Sequence, residues 1–292
     1  MMNVYDAVNQ RIMELLGKGT VPWRKTWNAG SGTPMNLVSK REYRGVNVFL
    51  LGCQEYSSPW WLTFKQCADR GGHVRKGEKS TPVVFWKWMD RKDADADGIG
   101  SEDGKGGKVP LLRFYNVFNL EQVSGIEAPK TEEIVNAFTP IERAEQIVAG
   151  MPYRPEIKHG GNVAAYSPIL DYVKMPRPEA FLSPEEYYST LFHELSHSTG
   201  HASRVGRKGI LEPSYFGSHA YSKEELCCEM SAAFLCGHAG IEQKTLENSA
   251  AYIQGWLKSL RNDRTLLVHA AAQAQKASDY ILNVSHQEDL TD

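Results

Sequence analysis

The stretch LFHELSHSTGHASR, residues 191–204, sets His193 and His197 four positions apart with Glu194 directly after the first histidine. On a helix of about 3.6 residues per turn the two imidazoles share one face, with Cβ atoms about 5–6 Å apart, close enough to hold one small cation. Glu194 projects beside the pair, where it can take the proton from an attacking water. This is the H-E-x-x-H pattern of zinc hydrolases. With nine histidines in 292 residues it arises by chance in about one or two of every hundred such chains, so context must separate it from two structural histidines on a shared helix.

The context favours the metal. Ser183-Pro184-Glu185-Glu186 reads as a helix start, with a hydroxyl cap, a proline in the first turn and two acids at the positive end of the dipole. Ahead of it, YSPILDYVKMP (166–176) reads as a strand whose Pro168 and Pro176 suit an edge, where an extended peptide can add by backbone hydrogen bonds. His201 follows Gly200, the expected end of the helix, and is assigned a supporting or surface role.

A catalytic zinc site needs a third protein ligand. YSKEELCCEMSAAFLCGHAG (221–240) offers Glu225 and Glu229, again four apart. Ser222 with Glu225 three residues later is a capping box, which would turn Glu225 back onto the backbone and leave Glu229 as ligand. Glu225 stays open as the ligand, with Glu229 then supporting a histidine. His219 and His238 rank below both. Tyr166, Tyr215 and Tyr221 are candidates for stabilising the oxyanion.

Outward from this centre, the composition is that of a soluble globular chain, 41% hydrophobic and 23% charged. The amphipathic opening MMNVYDAVNQRIMELLGKG and the lack of a long apolar run predict an intracellular, cytoplasmic protein without a membrane span. Five cysteines without C-x-x-C spacing read as buried reduced thiols. The net charge of −2 hides an asymmetry: residues 1–90 carry 13 basic against 7 acidic side chains, the rest 20 against 28. Six of the seven tryptophans also fall in that basic first third. Two domains follow, 1–128 and 129–292, divided at the linker-like GIEAPKTEE. STPVVFWKWM (80–89) and VPLLRFYNVFNL (109–120) read as strands, with a glycine-rich acidic insertion between them. A capped helix FKQCADR and later helices from Ser222, around Trp256 and up to Ile281 complete the pattern.

In the basic third, PWRKTW, SKREYRGVN, PWWLTFKQ and GGHVRKGEK interleave cations with aromatic rings. That mixture suits single-stranded nucleic acid, since cations follow phosphates and rings stack on unpaired bases for about 1–3 kcal/mol each. Trp23, Arg24, Lys25, Arg41, Tyr43, Arg44, Lys65, Arg75 and Lys76 are the candidate contacts. A domain of this size must also bury half or more of its tryptophans.

The series PWRKTW, PMN, YRGVN, WLTFKQ, GGHVRKGEKSTPVVF and FNLEQVSG resembles the N-terminal domain of ArdC-type antirestriction proteins of conjugative plasmids, shared with some plasmid primases. YYSTLFHELSHSTGH followed by YSKEELCCEMSAAFL resembles the zincin-like metallopeptidase domain joined to it. The resemblance implies an α+β chain: a small mixed α/β domain binding single-stranded DNA without sequence preference, then a mainly helical metalloprotease domain with a small sheet. It implies protection of incoming plasmid DNA from host restriction, a divalent metal, zinc or alternatively manganese, and a peptide substrate. Carried over, the metal set is His193, His197 and one of Glu225 and Glu229, with Glu194 catalytic. Cys227-Cys228 departs from the small aliphatic residues expected there. Two other readings remain: a strand-binding protein whose zincin domain is a non-catalytic interaction module, and a cytoplasmic metalloprotease directed by its basic domain to an acidic partner.

Overall fold

The structure, a computed structural model of the chain, describes residues 4–19, 21–23, 33–54, 56–90, 108–129, 139–207, 210, 219–241, 250–263 and 265–285. The expected glycine-rich insertion falls outside them. The chain is mixed α and β, with a four-stranded sheet in the first half and a mainly helical second half carrying a three-stranded sheet.

Helix α1 (Val4–Gly17) buries Val8, Ile12 and Leu16, the i, i+4, i+8 stripe of an amphipathic helix. The first sheet runs β1 (Met35–Asn36), β2 (Trp60–Thr63), β5 (Lys108–Asn119), β4 (Thr81–Asp90), with β5 antiparallel to both neighbours. Adjacent strand residues point to opposite faces. Trp60 accordingly packs with Leu37, Leu62 and Leu120, and Trp61 with Tyr43, Leu51, Val83 and Val117. Among the described side chains every tryptophan (Trp23, Trp60, Trp61, Trp256) is buried. Helix α2 (Val46–Gly52) is apolar nearly all round and buried to match. Its Asn47 is fastened to the sheet by paired bonds of 2.7 Å to the Val84 backbone. Helix α3 (Phe64–Asp69) opens on the Thr63/Gln66 capping box. The two-stranded β3 (His73–Val74) and β6 (Val123–Ser124) pair antiparallel beside it.

The second half opens with α4 (Pro140–Gly150), capped by Thr139. The segment expected as one strand over 166–176 is instead a hairpin: β8 (Ala165–Ser167) and β9 (Tyr172–Met175) pair antiparallel around a turn in which Asp171 takes a positive φ of 48°. Pro168 ends the first strand rather than marking an edge within a longer one. With β7 (Glu156–His159) the order is β7-β9-β8, so β8 forms an edge of this small sheet. Helices α5 (Pro184–Thr199), α6 (His219–Ala239), α7 (Ala250–Asn262) and α8 (Leu266–Ile281) follow.

Helix α6 is apolar on two flanks. Ala232, Leu235 and Cys236 pack with Leu191, Phe192 and Leu195 of α5 and with Val173 and Met175 of the small sheet. Leu226, Met230 and Phe234 pack with Ile12, Trp23 and Phe49 of the first half and with Trp256 and Leu267. Phe49 stacks on Phe234 at 4.9 Å between ring centres. The largest apolar cluster therefore draws on both sides of residue 129, and the helix that completes the candidate site is wedged between the halves. The five cysteines form no disulfide among the described residues and are buried. Among the described residues no helix is long and apolar enough to cross a membrane.

Candidate metal centre

Helix α5 begins as its sequence dictates, with Ser183 Oγ accepting from the Glu186 amide at 3.3 Å and Pro184 in the first turn. Leu191, Phe192 and Leu195 fix its rotation by entering the core, which turns His193 and His197 toward α6. The two Nε2 atoms lie 3.1 Å apart. Glu225 of α6 straddles them, one carboxylate oxygen 3.5 Å from His193 Nε2 and the other 3.5 Å from His197 Nε2. Ligands at about 2.0–2.1 Å in a tetrahedron stand about 3.3–3.4 Å from one another. The 3.1 Å between the imidazole nitrogens and the 3.5 Å from each to its nearer Glu225 oxygen are of that size, so the donor set fits one small divalent cation.

Glu229 is placed differently. It follows Glu225 by one turn, and its Oε2 accepts a hydrogen bond from Trp23 Nε1 at 2.9 Å. The capping-box reading of Ser222 assumes a helix beginning there. Helix α6 already runs from His219, so Ser222 is not an N-cap and Glu225 is released from that role.

The far side of His197 is held as firmly as its metal-facing side. His197 Nδ1 lies 3.2 Å from Cys228 Sγ and 3.6 Å from Glu224 Oε1, and the Cys228 thiol donates to the same Glu224 oxygen at 3.3 Å. A proton on Nδ1 serves these acceptors and leaves the Nε2 lone pair for a cation. Arg207 closes the network: its Nε donates to Glu224 Oε2 at 3.0 Å, and Nη2 donates to Glu224 Oε1 and, at 2.7 Å, to the Ser196 carbonyl. Burial alone would raise the Glu224 pKa, but the bonds from His197 and Arg207 outweigh it and lower it to about 2. Burial pushes the Cys228 thiol well up, so it stays a neutral donor. The grouping of His197, Glu224 and Cys228 is no second metal site, because the Arg207 guanidinium already supplies the positive charge.

Glu194 is 8% exposed and belongs to neither group. Burial opposes protonation of His193, yet hydrogen bonding to Glu225 and the charges of Glu194, Glu225 and Glu229 raise its pKa above the usual imidazole range. The same negative charge favours a metal cation. Among the tyrosines, Tyr166 gives its hydroxyl proton to Asp171 at 2.8 Å, and burial with that bond pushes its pKa up to about 12. Asp171 is in turn gripped by Arg204 at 2.8 Å through both oxygens. Tyr215 and the Tyr221 and His219 side chains lie outside the described residues. His201 bonds Ser203 at 2.8 Å, and His238 lies near the opposite end of α6, among the charges of Glu42, Asp279, Arg143 and Arg44.

The candidate nucleic-acid contacts divide. Trp23 and Tyr43 are corrections: at 1% and 5% exposure neither ring can stack on a base, because the apolar surface of each completes a core cluster. Arg44 pairs with Asp279 of α8, and so braces the two halves. Arg24 and Lys25 lie outside the described residues. Arg41, Lys65, Arg75 and Lys76 are exposed, Arg75 also holding Glu78 at 3.2 Å. Among the described residues of the first half, Phe64, Phe85, Phe114 and Tyr115 turn large apolar rings outward, 43–64% exposed. The β4/β5 register sets Phe85 opposite Arg113, and Phe85 meets Tyr115 edge-on at 5.7 Å.

Comparison with known proteins gives a consistent picture. Residues 2–118 match the family described as the N-terminal domain of anti-restriction factor ArdC, and residues 142–273 match the zincin-like metallopeptidase family. Two Escherichia coli relatives named DNA primase TraC are 36% and 38% identical, each over 95% of this chain; the chain spans only 27% and 20% of their lengths. An uncharacterized protein y4eC of Sinorhizobium fredii is 34% identical over 96% of this chain and 91% of its own. The metal-free crystal structure of antirestriction ArdC protein from plasmid R388 superposes with a TM-score of 0.74 at 33% identity, covering 95% of this chain and 96% of that one. The Mn(II)-bound structure gives 0.75 at 32%, covering 96% and 97%.

Proposed function

The chain belongs to the ArdC family of antirestriction proteins, and from that membership we propose that it coats single-stranded plasmid DNA without sequence preference and carries a metal-dependent peptidase centre. It would act in the cytoplasm on DNA arriving by conjugation. The observation that supports the peptidase half most directly is the triangle of His193, His197 and Glu225, with buried Glu194 beside it.

His193, His197 and Glu225 would hold the cation, zinc or manganese, which when bound supplies a Lewis acid for the peptide carbonyl and a lowered pKa for water. Glu194 would take the proton of the attacking water and return it to the leaving amine. Glu224, Cys228 and Arg207 keep His197 in the tautomer whose Nε2 faces the centre. The exposed edge of β8 offers backbone groups to an extended peptide.

The third-ligand assignment has a direct check. Glu225→Ala should weaken Mn(II) affinity, read by calorimetry, by more than about 100-fold, beyond the about 10–100-fold typical of supporting partners. Glu229→Ala should fall within that lower range. A reversed order would make Glu229 the ligand.

The DNA-binding half is supported by the exposed cations and by the Phe85–Tyr115 ring pair next to Arg113. Binding to single strands should fall steeply with salt, and Arg41→Ala, Lys65→Ala and Lys76→Ala should each reduce the log–log slope by about 0.7 where they touch a phosphate. Phe85→Ala with Tyr115→Ala should instead cost about 5- to 150-fold in affinity per stacked base and leave the slope alone. Equal competition by duplex and single strands at fixed salt would overturn the strand-coating reading in favour of recruitment to an acidic protein.

A further inference from the structure

The polar link between Trp23 and Glu229 spans 206 positions of sequence and joins the first half of the chain to the metal centre of the second. Trp23 is 1% exposed, lies edge-on to Trp256 at 5.8 Å, and shares its cluster with Leu226 and Met230 of α6. Its indole has one donor and no acceptor, and spends that donor on Glu229 Oε2 at 2.9 Å. Glu229 stands one turn from Glu225 on the same helix, so its carboxylate borders the metal group without entering it. A donor at the margin of the apolar cluster holds that carboxylate in one place, and a bond to a charged acceptor is about twice as strong as a neutral one.

We propose that Trp23 is a positioning residue of the metal centre: by holding the Glu229 carboxylate one turn beyond Glu225 on α6, the first half completes a site whose ligands all come from the second. This rests on the metal-centre reading above and adds a claim that reading does not contain, that cation affinity depends on a side chain from the strand-binding half. Glu229 follows the proposed ligand Glu225 by one helical turn, so a carboxylate fixed there adds negative charge near the cation, and one set loose adds less. By linkage, a cation bound at the centre would in turn strengthen the contact between the halves.

The test uses the whole chain with Mn(II) alone as probe. Trp23→Phe keeps an aromatic ring against Trp256 and removes only the indole N–H donor and some volume; its Mn(II) dissociation constant should rise about tenfold. Trp256→Phe thins the same cluster and should leave that constant within twofold, which a merely structural role for Trp23 would not distinguish. The Trp23→Phe/Glu229→Ala double variant should bind no more weakly than Glu229→Ala alone, since both remove one device. Parent protein that binds no Mn(II) would refute the metal reading itself. Parent that binds, with a folded Trp23→Phe binding equally well, would refute this proposal only. Should Trp23→Phe lose its circular dichroism spectrum, Glu229→Gln decides: tenfold weaker binding upholds the role of the carboxylate, and binding within twofold of the parent overturns the proposal.

Discussion

Glu194→Gln is expected to reduce hydrolysis of a labelled generic protein substrate by about 10³-fold while Mn(II) affinity changes by less than about tenfold. The side chain is 8% exposed and lies outside the triangle of His193, His197 and Glu225, so the amide isostere removes a proton acceptor without removing a ligand. General acid–base contributions run to about 10²–10⁴-fold, and Glu194 is assigned both halves of the proton transfer. Retained hydrolysis within tenfold of the parent would dismiss Glu194 as the base. The same variant separates two readings of the family function. If the substitution abolishes protection of transferred DNA, protection runs through peptide hydrolysis; if protection is undiminished, it runs through strand binding and the zincin fold serves as an interaction module.

What the sequence made legible follows from the range over which each signal acts. His193 and His197 are four residues apart on a helix whose start is written one segment earlier, so local spacing and one cap place both imidazoles on a common face. The proposed third ligand, Glu225, comes from another helix, where the local pattern pointed to Glu229: Ser222 and Glu225 have capping-box spacing, but α6 starts at His219. The hairpin over 166–176 was hidden because YSPIL and DYVKM each carry apolar residues at strand spacing, and only the turn at Asp171 separates them. Trp23 was the least accessible. A tryptophan beside basic residues suits a stacking surface equally well as a core, and its partners Glu229 and Trp256 lie more than 200 positions away. No local pattern encodes that the second half packs onto the first. Arg207 was missed for the same reason, since its partner Glu224 is identified only once α5 and α6 are packed.

Arg207→Leu is expected to destabilise the metal-free protein by about 3–5 kcal/mol at neutral pH, since it strands the Glu224 carboxylate. Both side chains are nearly closed to solvent, at 6% and 7% exposure; the Arg44–Asp279 pair, at 37% and 18%, is screened and worth at most about 1 kcal/mol. Against the burial that would raise it, the Glu224 pKa is lowered from 4.5 to about 2 by His197 and Arg207. A carboxyl depressed on folding contributes stability above its unfolded pKa. In the parent, that contribution, about 3 kcal/mol, is present above pH 4.5 and is lost as the pH falls toward about 2. In Arg207→Leu the guanidinium is gone and burial dominates, so Glu224 takes up a proton more readily in the folded state than in the unfolded one. The gap between parent and variant should therefore be widest near pH 7 and narrow by pH 4, as read from urea unfolding in the presence of a chelator. Arg207→Leu/Glu224→Leu should recover most of the loss, because an apolar pair of similar size leaves no stranded charge. Its stability and its metal affinity should then part company: with Glu224 gone, His197 Nδ1 keeps only Cys228, and Mn(II) should bind about tenfold more weakly to a protein nearly as stable as the parent. A single variant within 1 kcal/mol of the parent at pH 7 would mean that water or another donor already serves Glu224, and the bracing of His197 by Arg207 would have to be abandoned.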